Sequence, residues 1–372
     1  MTINITDAIF AQAERNPDAT AVIDADLSVS YRAFCHAVQL AARQFRDAGW
    51  KAGDIIGISM RHEPALHLAT ALALARMGVV QVSMPVSDPA PLRAARIQRL
   101  GVCGLVVNHR RDASGFNLAT AMPDPAWLTT TRAAVVDNIR APGGDAVWII
   151  NETSGTTATP KLIGISHAAA DAHRRRHASL FAHLPGERFL NLTGLRFLTA
   201  LKRAVNCLSD GGTLALPPVN LTTDQLLNWI DRHYVTYISC VPLHLHQLLR
   251  DIRTDKPRLP SVRILRVGGA ALPVSTVQEI RRRISRNLYV NYGSSETGSI
   301  ATATPAMLEA NPDTVGLPLD GVTLEIVDDE GRAVPDGELG HVRVRGPEIE
   351  LGYLHTAEPG QTQAFRDGVL SR

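Results

Sequence analysis

Short uninterrupted apolar runs alternate along the chain with longer stretches whose apolar residues recur every three or four positions. Runs of five or six apolar residues predict parallel strands covered on both faces, and the 3.6-residue period between them predicts amphipathic helices. The pattern places a helix over 31–48, stopped by Gly49 and followed by a strand over 54–58. Helices near 63–77 and 89–100 lead to strands over 79–84 and 102–107. The run Ala146-Val-Trp-Ile-Ile150 precedes a polar loop. Leu162-Ile-Gly-Ile-Ser166 then reads as a short strand, and Ser166 caps a helix that starts near His167. The theme repeats with strands over 213–216, 235–240, 262–267 and 288–292 and helices over 222–232, 243–252 and 273–285. Past Thr304 the period falls to two. Val322-Thr-Leu-Glu-Ile326 and His341-Val-Arg-Val-Arg345 flank the turn Asp328-Asp-Glu-Gly331. The expected fold is α/β, with stacked, mostly parallel sheets flanked by helices and a small antiparallel β-barrel at the C-terminal end. Subdomains are expected over about 1–183, 184–303 and 304–372.

Composition narrows the class. At 372 residues, 45% of them hydrophobic and 20% charged, the chain can bury one large core or two moderate ones. A net charge of +2 does not point to nucleic acid or an anionic membrane as the main partner. The first residues, Met1 to Asp7, have neither a basic nor an apolar leader pattern, so a cytoplasmic location is expected. The most apolar stretch, 66–85, is interrupted by Arg76, Gly78 and Gln81, and reads as a buried helix and a strand with no membrane span. Cys35, Cys103, Cys207 and Cys240 lack C-x-x-C spacing and are expected as reduced core residues, with neither disulfides nor zinc.

The candidate chemistry begins with Thr153-Ser-Gly-Thr-Thr-Ala-Thr-Pro-Lys161. A tight Gly-containing turn directs backbone N–H groups into an anion-binding concavity, hydroxyls add donors, and Lys161 adds charge. The loop is not a Walker A sequence. Gly155 has no second Gly to match, Leu162 stands where Ser or Thr is needed, and a strand follows instead of a helix. Two further segments fall just past the carboxyl ends of expected strands, where open α/β sheets bind ligands. Gly268-Gly269-Ala270 offers bare backbone to a flat ring. Asn291-Tyr-Gly-Ser-Ser-Glu-Thr-Gly298 offers Tyr292 for stacking and Glu296 as a hard oxygen ligand for Mg²⁺. Read singly, each is an ordinary turn. Together they outline base, metal and phosphate subsites for Mg-ATP.

On these motifs the chain resembles the adenylate-forming superfamily: acyl-CoA synthetases, nonribosomal-peptide adenylation domains and luciferases. Thr153–Lys161 is similar to its phosphate loop and Tyr292-Gly-Ser-Ser-Glu296 to its Tyr-Gly-x-Thr-Glu segment. Gly337-Glu-Leu-Gly-His-Val-Arg-Val-Arg-Gly346 and Leu351-Gly-Tyr-Leu354 resemble its Gly-Glu-Leu…Gly-Tyr-Leu segment. Ala75-Arg-Met-Gly78 and Val241-Pro242 also fall at family landmarks. The resemblance implies that a carboxylate attacks the α-phosphorus of ATP to give an acyl-AMP and pyrophosphate, and that CoA or a carrier-protein phosphopantetheine then takes the acyl group. It implies that Thr153, Ser154, Gly155, Thr156, Thr157 and Lys161 hold the β- and γ-phosphates. Gly268, Gly269, Ala270, Asn291, Tyr292, Gly293 and Ser294 would surround the nucleotide. Ser295 would reach the α-phosphate, and Glu296 with Thr153 would hold Mg²⁺. Thr153, Lys161 and Glu296 are the expected catalytic residues.

Departures from the family pattern shape the remaining expectations. Ala158 and Leu162 replace glycines and are expected to stiffen the loop. The sequence ends at Arg372, so a large N-terminal domain without the small C-terminal domain is expected, and with it little activity on its own. An ungapped count back from Gly211 puts Leu198 where amino-acid-activating members carry the Asp that meets the α-ammonium, which argues against an α-amino acid substrate. The same count places Arg196, Leu198, Lys202, Val267, Tyr289 and Asn291 at the acyl pocket. A buried Lys202 would suit an acid with a second carboxylate, whereas Lys202 and Arg203 on a solvated helix face would not. His173-Arg-Arg-Arg-His177 reads as a solvated helix face, and His244 and His246, two apart, do not share a face for a metal. The alternatives are a non-catalytic nucleotide- or acyl-binding member of the same fold, and an amino-acid adenylation domain of a peptide synthetase.

Overall fold

Strands that are apolar on both faces need cover on both sides, and the computed structural model shows how this chain supplies it. It describes residues 3–130, 139–141, 143–153, 161–346, 353–354, 365–366 and 369–371. The chain divides into two compact units. Met1–Asn151, Ile165–Asp171 and His183–Val235 form the first, and Glu152–Gly164, Ala172–Ala182 and Thr236–Arg372 form the second.

The first unit contains two sheets. One is wholly parallel, in the order Ala119–Ala121, Gly104–Val107, Ile55–Ser59, Val80–Ser83, Val147–Thr153. The other runs Arg188–Asn191, Thr213–Leu216, Thr20–Asp24 in parallel and ends on Leu27–Ser30, antiparallel. The helix Pro64–Met77 touches a strand of each sheet and buries every residue from Leu68 to Met77. Its composition, apolar all round, is that of a helix with no solvent face. Its one charge, Arg76, is 3% exposed. That guanidinium lies 3.5 Å from the centroid of the Phe10 ring, donates to Thr6 Oγ1 at 3.0 Å and sits 3.8 Å from Asp7, which Arg140 also grips through two hydrogen bonds. Burial raises the Asp7 pKa, but the hydrogen bonds from Arg140 and the Asn4 N–H, with the charges of Arg140 and Arg76, leave it below the ordinary carboxylate value.

The second unit continues the parallel theme with Val235–Cys240, Ile264–Gly268 and Leu288–Ser294, then turns antiparallel at Gly298–Ala303 and Leu317–Pro318. The helices Pro242–Asp251 and Val274–Arg283 belong to it, as does most of His167–Phe181. At the C-terminal end the expected antiparallel strands are present. Among the described residues, Thr323–Val327, His341–Arg345, Val369–Ser371 and Phe365–Arg366 form a four-stranded antiparallel sheet in that order. Ile300, Leu319, Val322 and Val344 make a small core of their own. No helix among the described residues is long and apolar enough to cross a membrane.

Ser166 caps its helix as the sequence predicts, accepting from the Ala169 N–H at 3.1 Å. Several elements go unannounced, and three of them are instructive. The hairpin Thr20–Asp24/Leu27–Ser30 turns through Ala25 at φ 53°, without the Gly or Asn that signals such a turn. The helix Leu198–Ser209 is buried on nearly all faces. The short helix Asp7–Arg15 opens the chain. Two expectations of exposure change as well. Arg203 is buried while Lys202 is half-buried, and His173 and His177 are both buried. The cysteines are free, as expected, but Cys103 is exposed.

His167 ties together distant parts of the first unit. It is fully buried, its Nδ1 accepts from the Ile5 N–H at 3.2 Å, and its own backbone N–H donates to the Ala146 carbonyl. An accepting Nδ1 requires the neutral ring, and burial lowers its pKa from 6.5 to about 4. Between those values the unfolded chain binds a proton that the folded chain refuses, so stability is lost as pH falls through this window, by about 3 kcal/mol at its lower end. Urea melts at pH 7 and pH 4.5 are expected to show this loss. His167→Asn, which retains an acceptor but cannot titrate, is expected to flatten it.

Candidate functional site

The site grows from the register of three parallel strands. Tyr237 pairs with Ile264 and Ser239 with Arg266, while Arg266 pairs with Tyr289 and Gly268 with Asn291. Side chains alternate along a strand, so these residues share one face of the sheet, and Val267 and Val290 point to the other. Of the expected pocket residues, Tyr289 and Asn291 therefore come together, and Val267 does not join them. Phe181, at the end of its helix, covers the amino half of this face. Its ring meets Tyr289 edge-on at 5.4 Å and lies 6.4 Å from Tyr237. His177 stacks on Phe181 at 4.7 Å and His173 on His177 at 5.8 Å, so these histidines extend an aromatic column.

The carboxyl half of the same face is polar. Arg266 is 3% exposed, and its Nη2 donates to Asn291 Oδ1 and to Ser299 Oγ, the latter at 2.8 Å. Thr302 Oγ1 donates to the same Asn291 oxygen at 3.4 Å. The Arg266 guanidinium lies 5.0 Å from the Phe181 centroid, which lays its flat cation on the aromatic column. Three strands are thus joined by one side chain. Sequence reading passed over Arg266, Ser299 and Thr302. The available signal was an Arg inside the apolar strand Ile264–Gly268, where a charge has to be accommodated by specific partners.

Beyond Asn291 the strand runs into a hairpin. Gly269, at φ +97°, turns the neighbouring chain away at the carboxyl end of its strand, and Gly269 and Ala270 are exposed. Tyr292 is 38% exposed and presents a ring beside that edge of the sheet. Ser294 and Thr297 close the hairpin tip by reciprocal bonds: the Ser294 N–H donates to Thr297 Oγ1 at 3.1 Å, and the Thr297 N–H to Ser294 Oγ at 3.3 Å. A Cβ on Gly293 would come within 2.0 Å of the Gly298 carbonyl oxygen, so the strands pack here too closely for any side chain. Ser295 is exposed at the tip, and Glu296 beside it is 5% exposed.

The other expected residues are placed as follows. Thr153 ends the strand Val147–Thr153, and Lys161 opens the strand Lys161–Ser166 and is half-buried. Ser154, Gly155, Thr156 and Thr157 lie outside the described residues, as does Ala158. Leu162 is buried and pairs with Leu354, and Ile163 pairs with Tyr353. Arg196, exposed over the Phe197 ring at 4.7 Å, belongs to the first unit with buried Leu198 and half-buried Lys202. Among the described residues no three His, Cys, Asp or Glu side chains cluster to hold a metal. His244, the other conspicuous histidine, accepts the Val241 N–H at its helix start.

Comparisons with known proteins identify the family. The family model described as AMP-binding enzyme matches residues 9–354. Malformin synthetase from Aspergillus brasiliensis is 26% identical over 367 residues, covering 98% of this chain and 7% of the synthetase. Vanchrobactin synthetase VabF from Vibrio anguillarum is 25% identical over 367 residues, covering 94% of this chain and 13% of that protein. The chain thus spans only a small fraction of such relatives. Among solved structures, o-succinylbenzoate CoA synthetase from Bacillus subtilis in complex with its acyl-adenylate intermediate superposes with a TM-score of 0.86 at 23% identity, covering 98% of this chain and 94% of that one, a likeness of fold. The amide bond synthetase McbA from Marinactinospora thermotolerans gives 0.84 at 26% identity, covering 99% and 76%. With the family model spanning nearly all of its length, the chain belongs to the AMP-binding enzyme family.

Proposed function

We propose that this chain activates a carboxylic acid as its acyl-adenylate, with ATP as co-substrate, and passes the acyl group to a thiol of CoA or of a carrier-protein phosphopantetheine. The observation that carries this reading is the carboxyl edge of Ile264–Gly268 and Leu288–Ser294. Bare backbone at Gly268 and Gly269, the Tyr292 ring and the buried Glu296 carboxylate follow one another there within two neighbouring strands. Gly268, Gly269, Ala270, Asn291 and Tyr292 would receive the adenine, and Gly293, Ser294 and Ser295 the α-phosphate side. Thr153, Ser154, Gly155, Thr156, Thr157 and Lys161 would receive the β- and γ-phosphates. Glu296, with Thr153, would hold Mg²⁺, which when bound neutralises phosphate charge.

The chemistry asks little covalent work of the protein. A carboxylate oxygen forms a bond to the α-phosphorus as the bond to the pyrophosphate oxygen breaks, and no proton has to move. The chain's residues align the two reactants and offset the negative charge that accumulates between them. In the second step a thiolate adds to the acyl carbonyl and AMP leaves. Buried, apolar Leu198 supports an acid without an α-ammonium group. The peptide synthetase relatives favour a second reading, an amino acid substrate loaded onto a carrier domain. The free cysteines are consistent with work in the cytoplasm.

Acid-dependent exchange of pyrophosphate into ATP, run across mono- and dicarboxylic acids and the proteinogenic amino acids, is expected to show turnover with a carboxylic acid and none with amino acids. Turnover confined to amino acids would establish the second reading, and exchange with no acid at all would leave a binding protein. Glu296→Gln is expected to cut that turnover by about 100-fold, with partial recovery at high Mg²⁺. Gly293→Ala is expected to distort the hairpin tip. It should lower both the melting temperature and nucleotide affinity, read by thermal shift with and without ATP, whereas Ala substituted at exposed Ser295 should leave the melting temperature unchanged.

A further inference from the structure

Resting on the acid-activating reading, we infer that Arg266 is a specificity residue that binds a second carboxylate on the acyl substrate, making the preferred substrate a dicarboxylic acid. A guanidinium carries five N–H donors in a planar fork suited to a carboxylate. In Arg266 the hydrogen bonds run from Nη2 alone, and both acceptors, Asn291 and Ser299, are neutral. Its Nε is buried without a hydrogen-bond partner among the described residues. No carboxylate among them pairs with it, unlike buried Arg76, which has Asp7 nearby. A cation this deeply buried is costly unless an anion meets it, and the folded chain leaves donors of the fork unused.

The position gives that anion a chemical identity. Arg266 stands on the same face as Tyr289, Asn291 and Gly268, one alternation below the glycine edge assigned to the nucleotide. A substrate whose reacting carboxylate lies at that edge would extend its other end along this face. There it meets a layer of Arg266, Ser299 and Thr302 and, behind it, the aromatic rings of Phe181 and Tyr289. The layer offers donors and one full positive charge over an apolar floor. This suits a carboxylate at the far end of a short carbon chain better than a neutral tail. The sequence suggested Lys202 for the same role, but it is Arg266 that shares its face with the expected pocket residues Tyr289 and Asn291.

The test compares α,ω-dicarboxylic acids from succinic to suberic acid with monocarboxylic acids of equal length. Binding is read by isothermal titration in the presence of a non-hydrolysable ATP analogue, and turnover by pyrophosphate exchange. Wild-type protein is expected to bind a dicarboxylic acid at least about 30-fold more tightly than its monocarboxylic counterpart, the discrimination typical of a buried charge-paired hydrogen bond. Arg266→Met is expected to abolish that preference, lowering dicarboxylate affinity at least about 30-fold more than monocarboxylate affinity, and Arg266→Lys to retain part of it. Equal loss for both acid classes in Arg266→Met, with Arg266→Lys restoring neither, would show that Arg266 only positions Asn291. A wild-type protein that prefers monocarboxylic acids also overturns the proposal and leaves acid activation standing. Selective dicarboxylate binding without pyrophosphate exchange would instead keep Arg266 in its role and overturn the activation chemistry.

Discussion

Parallel strands cannot face water on either side, and that constraint organises both units. Helices such as Pro64–Met77 are apolar all round because they fill space between strands, and charges that enter this interior come with dedicated partners. With both faces covered, the strand ends stay open. The candidate site lies there: the strand Ile264–Gly268 ends in glycines, and Leu288–Ser294 ends in the hairpin that carries Glu296. The concentration of polar function on one edge follows from hiding everything else.

Much of this was readable in advance, for identifiable reasons. The strand–helix alternation was plain because apolar runs and 3.6-residue periods are written into the chain. Ser166 announced its helix because a hydroxyl before an apolar-periodic segment has few other uses. What stayed hidden had no local signature. Ala25 turns a hairpin in a conformation for which Ala gives no warning. The candidate site divides in the same way. Gly268, Asn291, Tyr292 and Glu296 were picked out by residue type, but Arg266 was not, because its meaning depends on the cross-strand register that brings Asn291 and Ser299 to it. Val267 shows the converse: adjacent in sequence to Arg266, it is directed to the other face by the same alternation.

Arg76 and Arg266 show two ways of keeping an arginine in a protein interior. Arg76 is held by a ring, a hydroxyl and a nearby carboxylate that itself has a second arginine, so an anion within the fold faces it. Arg266 has the ring and the neutral acceptors but no carboxylate among the described residues. The first arrangement is what structure alone requires. The second leaves the electrostatics open toward whatever occupies that face.

The strand pairing of Leu162 and Ile163 with Leu354 and Tyr353 has a consequence for how the molecule comes into being. The two partners are separated by about 190 residues, so on the ribosome the earlier strand emerges long before the later one exists. During that interval its backbone donors and acceptors on that side have no native acceptor, and an unpaired strand side is a template for wrong pairing. Closing so long a loop is also entropically slow relative to the local helix–strand pairings around it. The strand Lys161–Ser166 would therefore acquire its final pairing late in synthesis, after most of the sheet face that carries Arg266 is already in place.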